Sequence, residues 1–235
     1  MYKRQAKGSG MIAPNMATML CFLTTDAAIA APLLKEALSE TVEDTFNMLS
    51  VDGDTSTNDT VALMANGAAG NEPVAEKNGD YQTFRAALRQ VCTAIVRALA
   101  ADGEGATRLL ECRVTGGKTA ADARLAAKSV IGSALFKSAM FGADANWGRV
   151  LCAVGYSGAQ VDVKGVSVTF RSAAGSVHVC EKGAGILFSE ETAKTVLSEK
   201  EIVVDIVLSD GQAAATAWGC DLTYDYVKIN GDYRT

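Results

Sequence analysis

The chain holds 235 residues, 49% of them hydrophobic and 21% charged, with a formal net charge of −5. That balance belongs to a folded protein of one large or two small domains, excludes a disordered chain, and argues against a nucleic-acid partner. No apolar run approaches the ~18 residues of a membrane-spanning helix, so no membrane partner is expected.

Met1 to Gln5 is basic, but no apolar core of a secretion signal comes after it. Gly8-Ser-Gly-Met-Ile-Ala13 has the spacing of a dinucleotide fingerprint, which needs a strand before it and a long helix after it. Only seven residues precede it and Pro14 would break a helix starting there, so that reading is rejected. Pro32 to Leu49 reads as a helix, with Leu33, Leu34, Ala37, Leu38, Val42 and Phe46 at helical spacing. Val51 to Thr60 is a polar loop, and Thr60 to Ala65 reads as a buried strand. Asp80 to Ala101 is predicted to be a helix with Phe84, Leu88, Val91, Ile95 and Leu99 on one face. A strand over Arg108–Thr115 and a short helix over Ala120–Gly132 come next. Val150 to Tyr156 is apolar and ambiguous by periodicity. Val161 to Cys180 contains two or three short strands with Gly165 and Gly175 at turns. Ser189 caps a helix running to about Ser198. Glu201–Leu208 and Ala213–Tyr226 read as strands. The sum is an α+β fold of layered helices and mixed sheets.

Two motifs come close to a ligand site and fail. Asp52-x-Asp54-x-Ser56 opens like a calcium loop, but the sixth and twelfth positions are Thr57 and Leu63 instead of Gly and Glu. Gly117-Lys-Thr119 ends like a phosphate-binding loop, but the earlier glycine is replaced by Cys112, so a turn with an exposed lysine is expected. Six scattered cysteines with no CxxC pair point to free thiols in a reducing cytosol, and no metal site is expected. His178 is the single histidine. It lies in an alternating Ser-Val-His-Val-Cys run and reads as a structural or solvent-facing strand residue. Any nucleophilic chemistry here must therefore find its base elsewhere.

Lys7-Gly-Ser-Gly-Met-Ile-Ala-Pro-Asn-Met-Ala-Thr-Met-Leu20 resembles the processing site of the ornithine acetyltransferase family, also called glutamate N-acetyltransferase. Val51-Asp-Gly-Asp-Thr-Ser-Thr-Asn-Asp59, Ala143-Asp-Ala-Asn-Trp-Gly-Arg149 and Ile229-Asn-Gly-Asp-Tyr-Arg-Thr235 resemble three further stretches of that family, in the same order. The resemblance implies a self-processing N-terminal-threonine acyltransferase fold of the DOM-like, αββα kind. It implies cleavage between Ala17 and Thr18, with residues 1–17 ending an α chain and 18–235 forming the β chain. Thr18 would then be the nucleophile that carries the acetyl group. Its own freed α-amine, with a pKa of about 7.7–8.0, would be the base. The resemblance also assigns substrate contacts to Lys7, Thr18, Glu104, Asn230 and Thr235. Read alone, Glu104 is a solvated loop residue and Thr235 a frayed end.

The reaction so implied moves acetyl from N2-acetylornithine to glutamate in arginine biosynthesis, in the cytoplasm, through an acetyl-threonine intermediate. No cofactor is implied, although some family members also take acetyl-CoA as a substrate. The family works as an assembly of α and β chains, an α2β2 heterotetramer. An N-terminal-threonine amide hydrolase, with water as acceptor, shares the same logic. Family precursors carry a long segment before the Lys-Gly motif, which supplies a Thr-Gly oxyanion pair and another substrate threonine. Most of it lies outside these residues, so the chain alone is expected to be poorly soluble, slow to cleave and nearly inactive, an incomplete half.

Overall fold

The computed structural model describes residues 2–13 and 19–232. The sequence folds into two sheets with helices layered on them, the α+β architecture expected. The small sheet joins β1 (Tyr2–Lys7), β2 (Leu20–Thr25) and β4 (Thr60–Ala65). Here β2 runs antiparallel to β1 and parallel to β4, with Lys7 opposite Leu20 and Leu20 opposite Thr60. Strict alternation along β2 sends Cys21, Leu23 and Thr25 inward and leaves Leu20 and Phe22 exposed.

The large sheet contains β3 (Leu49–Ser50), β5 (Leu109–Gly117), β6 (Ser167–Ser172), β7 (Gly175–Glu181), β8 (Ala184–Gly185), β9 (Glu201–Val207) and β10 (Ala213–Cys220). Its order is β3-β10-β5-β9-β6-β7-β8. The helix α3 (Ala120–Gly132) packs on β5 and β10 with Ala123, Ala126, Ala127, Val130 and Ile131 buried. The helix α2 (Gly79–Ala101) buries Tyr81, Phe84, Leu88, Cys92, Ile95 and Leu99, the predicted face with Val91 at its partly buried margin. Asn78 starts it by accepting from the Asp80 and Tyr81 amides. The helix α6 (Glu190–Leu197) begins at the predicted cap, with Ser189 accepting from Thr192.

Three expectations need correction, and one ambiguous stretch is resolved. The first helix, α1 (Ala31–Glu43), stops six residues early; a 3₁₀ turn at Phe46–Met48 comes after it and Leu49 already pairs in β3. Tertiary pairing with Trp218 outweighs the helical periodicity that continues through Phe46. The strand β4 is only partly covered, with Val61 its one fully buried residue. The stretch Val150–Tyr156 resolves as α5 (Trp147–Gly155), capped by Asn146, and a further helix, α4 (Ala134–Phe141), precedes it. The predicted last strand ends at Cys220, and Tyr224–Asp232 forms α7. The stretch Leu222–Tyr226 alternates apolar and polar residues as a strand would and holds no breaker, so its helical start was not legible.

Glu111 ties the layers together. Only 6% exposed, it accepts from Arg97 of α2, from Arg113 Nε at 2.6 Å, and from Trp218 Nε1 across the β5–β10 pairing at 3.1 Å. Glu111→Ala should cost about 3 kcal/mol, the low end for breaking a buried ion pair, because both arginines keep partial contact with water. A urea unfolding midpoint that does not move would contradict this role.

Candidate functional site

The expected cleavage point, Ala17–Thr18, and the expected contact Thr235 lie outside the described residues. Both flanks of residues 14–18 are described, and one loop grips them both. On the near side the Val51 amide donates to the Ile12 carbonyl at 2.6 Å. The Asp52 carboxylate accepts from the Met11 and Ile12 amides at 2.7 and 3.0 Å. The Thr55 hydroxyl donates to the Ala13 carbonyl at 2.8 Å. On the far side the Met19 amide donates to Asp59, and the Thr60 amide donates to the Met19 carbonyl at 2.7 Å, which starts β4 beside β2. Met11 is held in the left-handed region at φ 54°, a conformation a non-glycine residue keeps only when its surroundings impose it. The polar composition of Val51–Thr60 is thus put to use: its carboxylates and hydroxyl bind the backbone around the predicted nucleophile.

A second group of contacts stands beside this loop. The turn after α2 is fixed by buried Asp221, which accepts from the Thr107 and Arg108 amides at 2.8 and 3.0 Å. That turn carries Glu104, whose amide donates to the Ser9 carbonyl at 2.9 Å. The Glu104 carboxylate lies over Gly10, where a Cβ would come within 2.5 Å of it. Gly105, at φ +69°, lets α7 approach; a Cβ there would stand 2.5 Å from the Tyr226 nitrogen. Tyr226 and Asn230 are one turn apart on α7 and face the same way. The Tyr226 hydroxyl reaches Asp52 at 3.4 Å, and the Asn230 amide donates to Glu104 at 2.9 Å. Burial, then the neighbouring Asp52 carboxylate, pushes the Tyr226 phenol up to about 12, so it stays a donor toward Asp52.

Of the five residues assigned by resemblance, Glu104 and Asn230 therefore meet directly. Lys7 is exposed at the end of β1, two residues before the Ser9 that Glu104 binds. Sequence reasoning missed the individual roles of Asp52, Thr55, Asp59 and Tyr226, although it singled out the loop that carries three of them. His178 is exposed on β7, with Nδ1 2.8 Å from the Thr169 hydroxyl, as expected of a structural histidine. Lys118 is exposed and donates to Gln160, and Thr119 caps α3, the turn expected there. Five of the six cysteines are buried free thiols, and Cys152 is exposed. Burial pushes the Cys21 thiol up to about 11 and Cys92 to about 12, and raises Cys112, Cys180 and Cys220 as well. Among the described residues no three His, Cys, Asp or Glu side chains are grouped to hold a metal ion. No helix among them is long and apolar enough to cross a membrane.

The chain is similar to known proteins over nearly its whole length. The ArgJ family model matches residues 3–235. Arginine biosynthesis bifunctional protein ArgJ 1 of Clostridium acetobutylicum is 54% identical over 230 residues, covering 98% of this chain and 56% of that protein. The ArgJ of Caldanaerobacter subterraneus subsp. tengcongensis is 55% identical over 98% of this chain and 57% of its own length. The chain thus spans little more than half the length of the curated relatives it matches. The crystal structure of the arginine biosynthesis bifunctional protein from Bacillus halodurans superposes with a TM-score of 0.87 at 44% identity, covering 92% of this chain and all of that one. A family model matched from residue 3 to the last residue, carried on a shared fold, shows that the chain belongs to the ArgJ family.

Proposed function

We propose that this chain carries the nucleophile half of an acetyltransferase that moves acetyl from N2-acetylornithine to glutamate. The observation that supports this best is the double grip of the Asp52–Asp59 loop on Ala13 and Met19, the described residues on either side of the expected cleavage point. In this reading the Thr18 hydroxyl attacks the Ala17 carbonyl carbon, the peptide becomes an ester, and water releases Ala17 as a carboxylate. Thr18 keeps its hydroxyl and gains a free α-amine. That amine, titrating near about pH 8, takes the hydroxyl proton as Oγ attacks the acetyl carbonyl of N-acetylornithine. Ornithine leaves with the proton, and the glutamate amine then accepts the acetyl group. Lys7 offers a cation to the substrate carboxylate and Glu104 an anion to its ammonium.

The oxyanion donors belong in this reading to a Thr-Gly pair on a partnering α segment, with the two halves assembling as α2β2. The exposed apolar side chains Leu20, Phe22 and Met64 on the small sheet favour such a partner. The test is an acetylornithine-to-glutamate assay on the chain alone and co-expressed with the amino-terminal segment of a relative. Co-expression should restore transfer, and acetyl-CoA in place of N-acetylornithine tests the second donor. Release of free acetate without N-acetylglutamate would replace the transferase with an amide hydrolase.

Gly10 gives a separate expectation. In Gly10→Ala the new methyl meets only the flexible end of Glu104, so stability should hold while the carboxylate is pushed from its place. KM for N-acetylornithine should rise about tenfold, the scale of one charged hydrogen bond. An unchanged KM would detach Glu104 from the substrate.

A further inference from the structure

Helix α4 is Ala-Leu-Phe-Lys-Ser-Ala-Met-Phe, a near-continuous apolar run with one lysine in it. Phe136, Ala139 and Met140 are buried, and so is Lys137, which is 4% exposed. A buried ammonium is costly unless its protons find acceptors. The described partners of Lys137 Nζ are uncharged: it donates to the Val51 carbonyl and stands 4.0 Å from the Cys220 sulfur. Burial keeps that thiol protonated, so it offers no full negative charge. The Asp52 and Asp221 carboxylates act on the same spot from further off, without a described hydrogen bond to Nζ, and a lysine so placed suggests a task that an apolar side chain would not perform.

The task is visible in what Val51 does with its other side. Its amide holds the Ile12 carbonyl, and the next residue, Asp52, holds the Met11 and Ile12 amides. The Val51 carbonyl and the Asp52 amide share one peptide plane. Fixing that carbonyl therefore fixes the direction in which Asp52 leaves the core. The Lys137 carbonyl also accepts from the Leu222 amide, two residues before α7 begins. One residue of α4 thus anchors both the loop that grips residues 11–13 and the lead-in to the helix bearing Tyr226 and Asn230.

We infer that Lys137 is a positioning residue: its buried ammonium sets the Val51–Asp52 peptide and, through it, the backbone of Met11 and Ile12 upstream of the predicted nucleophile. The link to processing rests on the proposed function above; the link to residues 11–12 does not.

The experiment is Lys137→Met in the 235-residue chain co-expressed with the amino-terminal segment of a relative, a change that keeps the length of the side chain and removes its charge and donors. Site-resolved amide hydrogen exchange reads the result. Protection at Ile12 and Val51 should fall about tenfold or more, the scale of one hydrogen bond from a charged group, while Leu88, Cys92 and Ile95 of α2 keep theirs. Lys137→Arg, which restores a cationic donor, should recover part of the loss. Unchanged protection at Ile12 and Val51 would overturn the inference, and so would an equal loss in α2, which would make Lys137 a general stability residue. In parallel, cleavage at Ala17–Thr18 should slow about tenfold in the Met variant. If the co-expressed parent itself does not cleave there, the proposed function fails, and the exchange data alone decide the role of Lys137.

Discussion

Thr18→Ala should remain a single uncut chain and lose acetyl transfer altogether. The side chain is asked to do two jobs, and both require its oxygen. Before cleavage it is the nucleophile that attacks Ala17; afterwards it is the atom that carries acetyl. Alanine supplies no such atom, and the base that would activate it is never released, because the α-amine stays locked in the peptide bond. The fold should survive, since Asp52, Thr55 and Asp59 bind the flanking backbone through groups the substitution leaves intact. Thr18→Ser should cleave and transfer at reduced rates, because it keeps a hydroxyl. Mass spectrometry of the co-expressed proteins separates the outcomes: the intact 235-residue chain for Thr18→Ala, a chain without residues 1–17 for the parent. A Thr18→Ala preparation that still splits would remove Thr18 from the mechanism.

Glu104→Ala should cut substrate use by far more than it alters processing. The Glu104 backbone amide donates to the Ser9 carbonyl, and its carboxylate accepts from the Asn230 amide. Truncating one partner of a desolvated, hydrogen-bonded charge pair costs roughly 2–5 kcal/mol, so kcat/KM for N-acetylornithine should fall about thirtyfold to several thousandfold. In this reading cleavage depends on the hydroxyl of Thr18 and on the grip of the Asp52–Asp59 loop, whose hydrogen bonds to Met11, Ile12, Ala13 and Met19 do not involve Glu104, so its rate should change little. Kinetics equal to the parent would take Glu104 out of the site.

Much of this fold can be read from the chain alone, for reasons that differ by element. Helices α2 and α3 were legible because each shows an unbroken apolar face and begins at a side-chain cap, Asn78 and Thr119. The early end of α1 was not, because Phe46 and Leu49 fit helical spacing while their burial comes from a 3₁₀ turn and a strand pairing decided elsewhere in the chain. The start of α7 was hidden likewise: Thr223 caps it through the Tyr226 amide and at the same time binds Gly105, a residue 118 positions away. Within the site, Glu104 and Asn230 came from a resemblance, and their contact supplies the physical reason for the pairing. Asp52 and Asp59 look like ordinary loop acids in sequence. Only the fold brings the backbone amides of Met11, Ile12 and Met19 to them. Lys137 left one sequence signal, a charge inside an apolar octet, which periodicity alone does not turn into a role.

The most direct test is mass spectrometry of the co-expressed, processed chain after brief exposure to N-acetylornithine. The account predicts a chain beginning Thr-Met-Leu-Cys that is one acetyl group heavier, with the added mass on Thr18 and lost again when glutamate is supplied. A chain that begins at any other residue, or an acetyl group found on a different side chain, would contradict it.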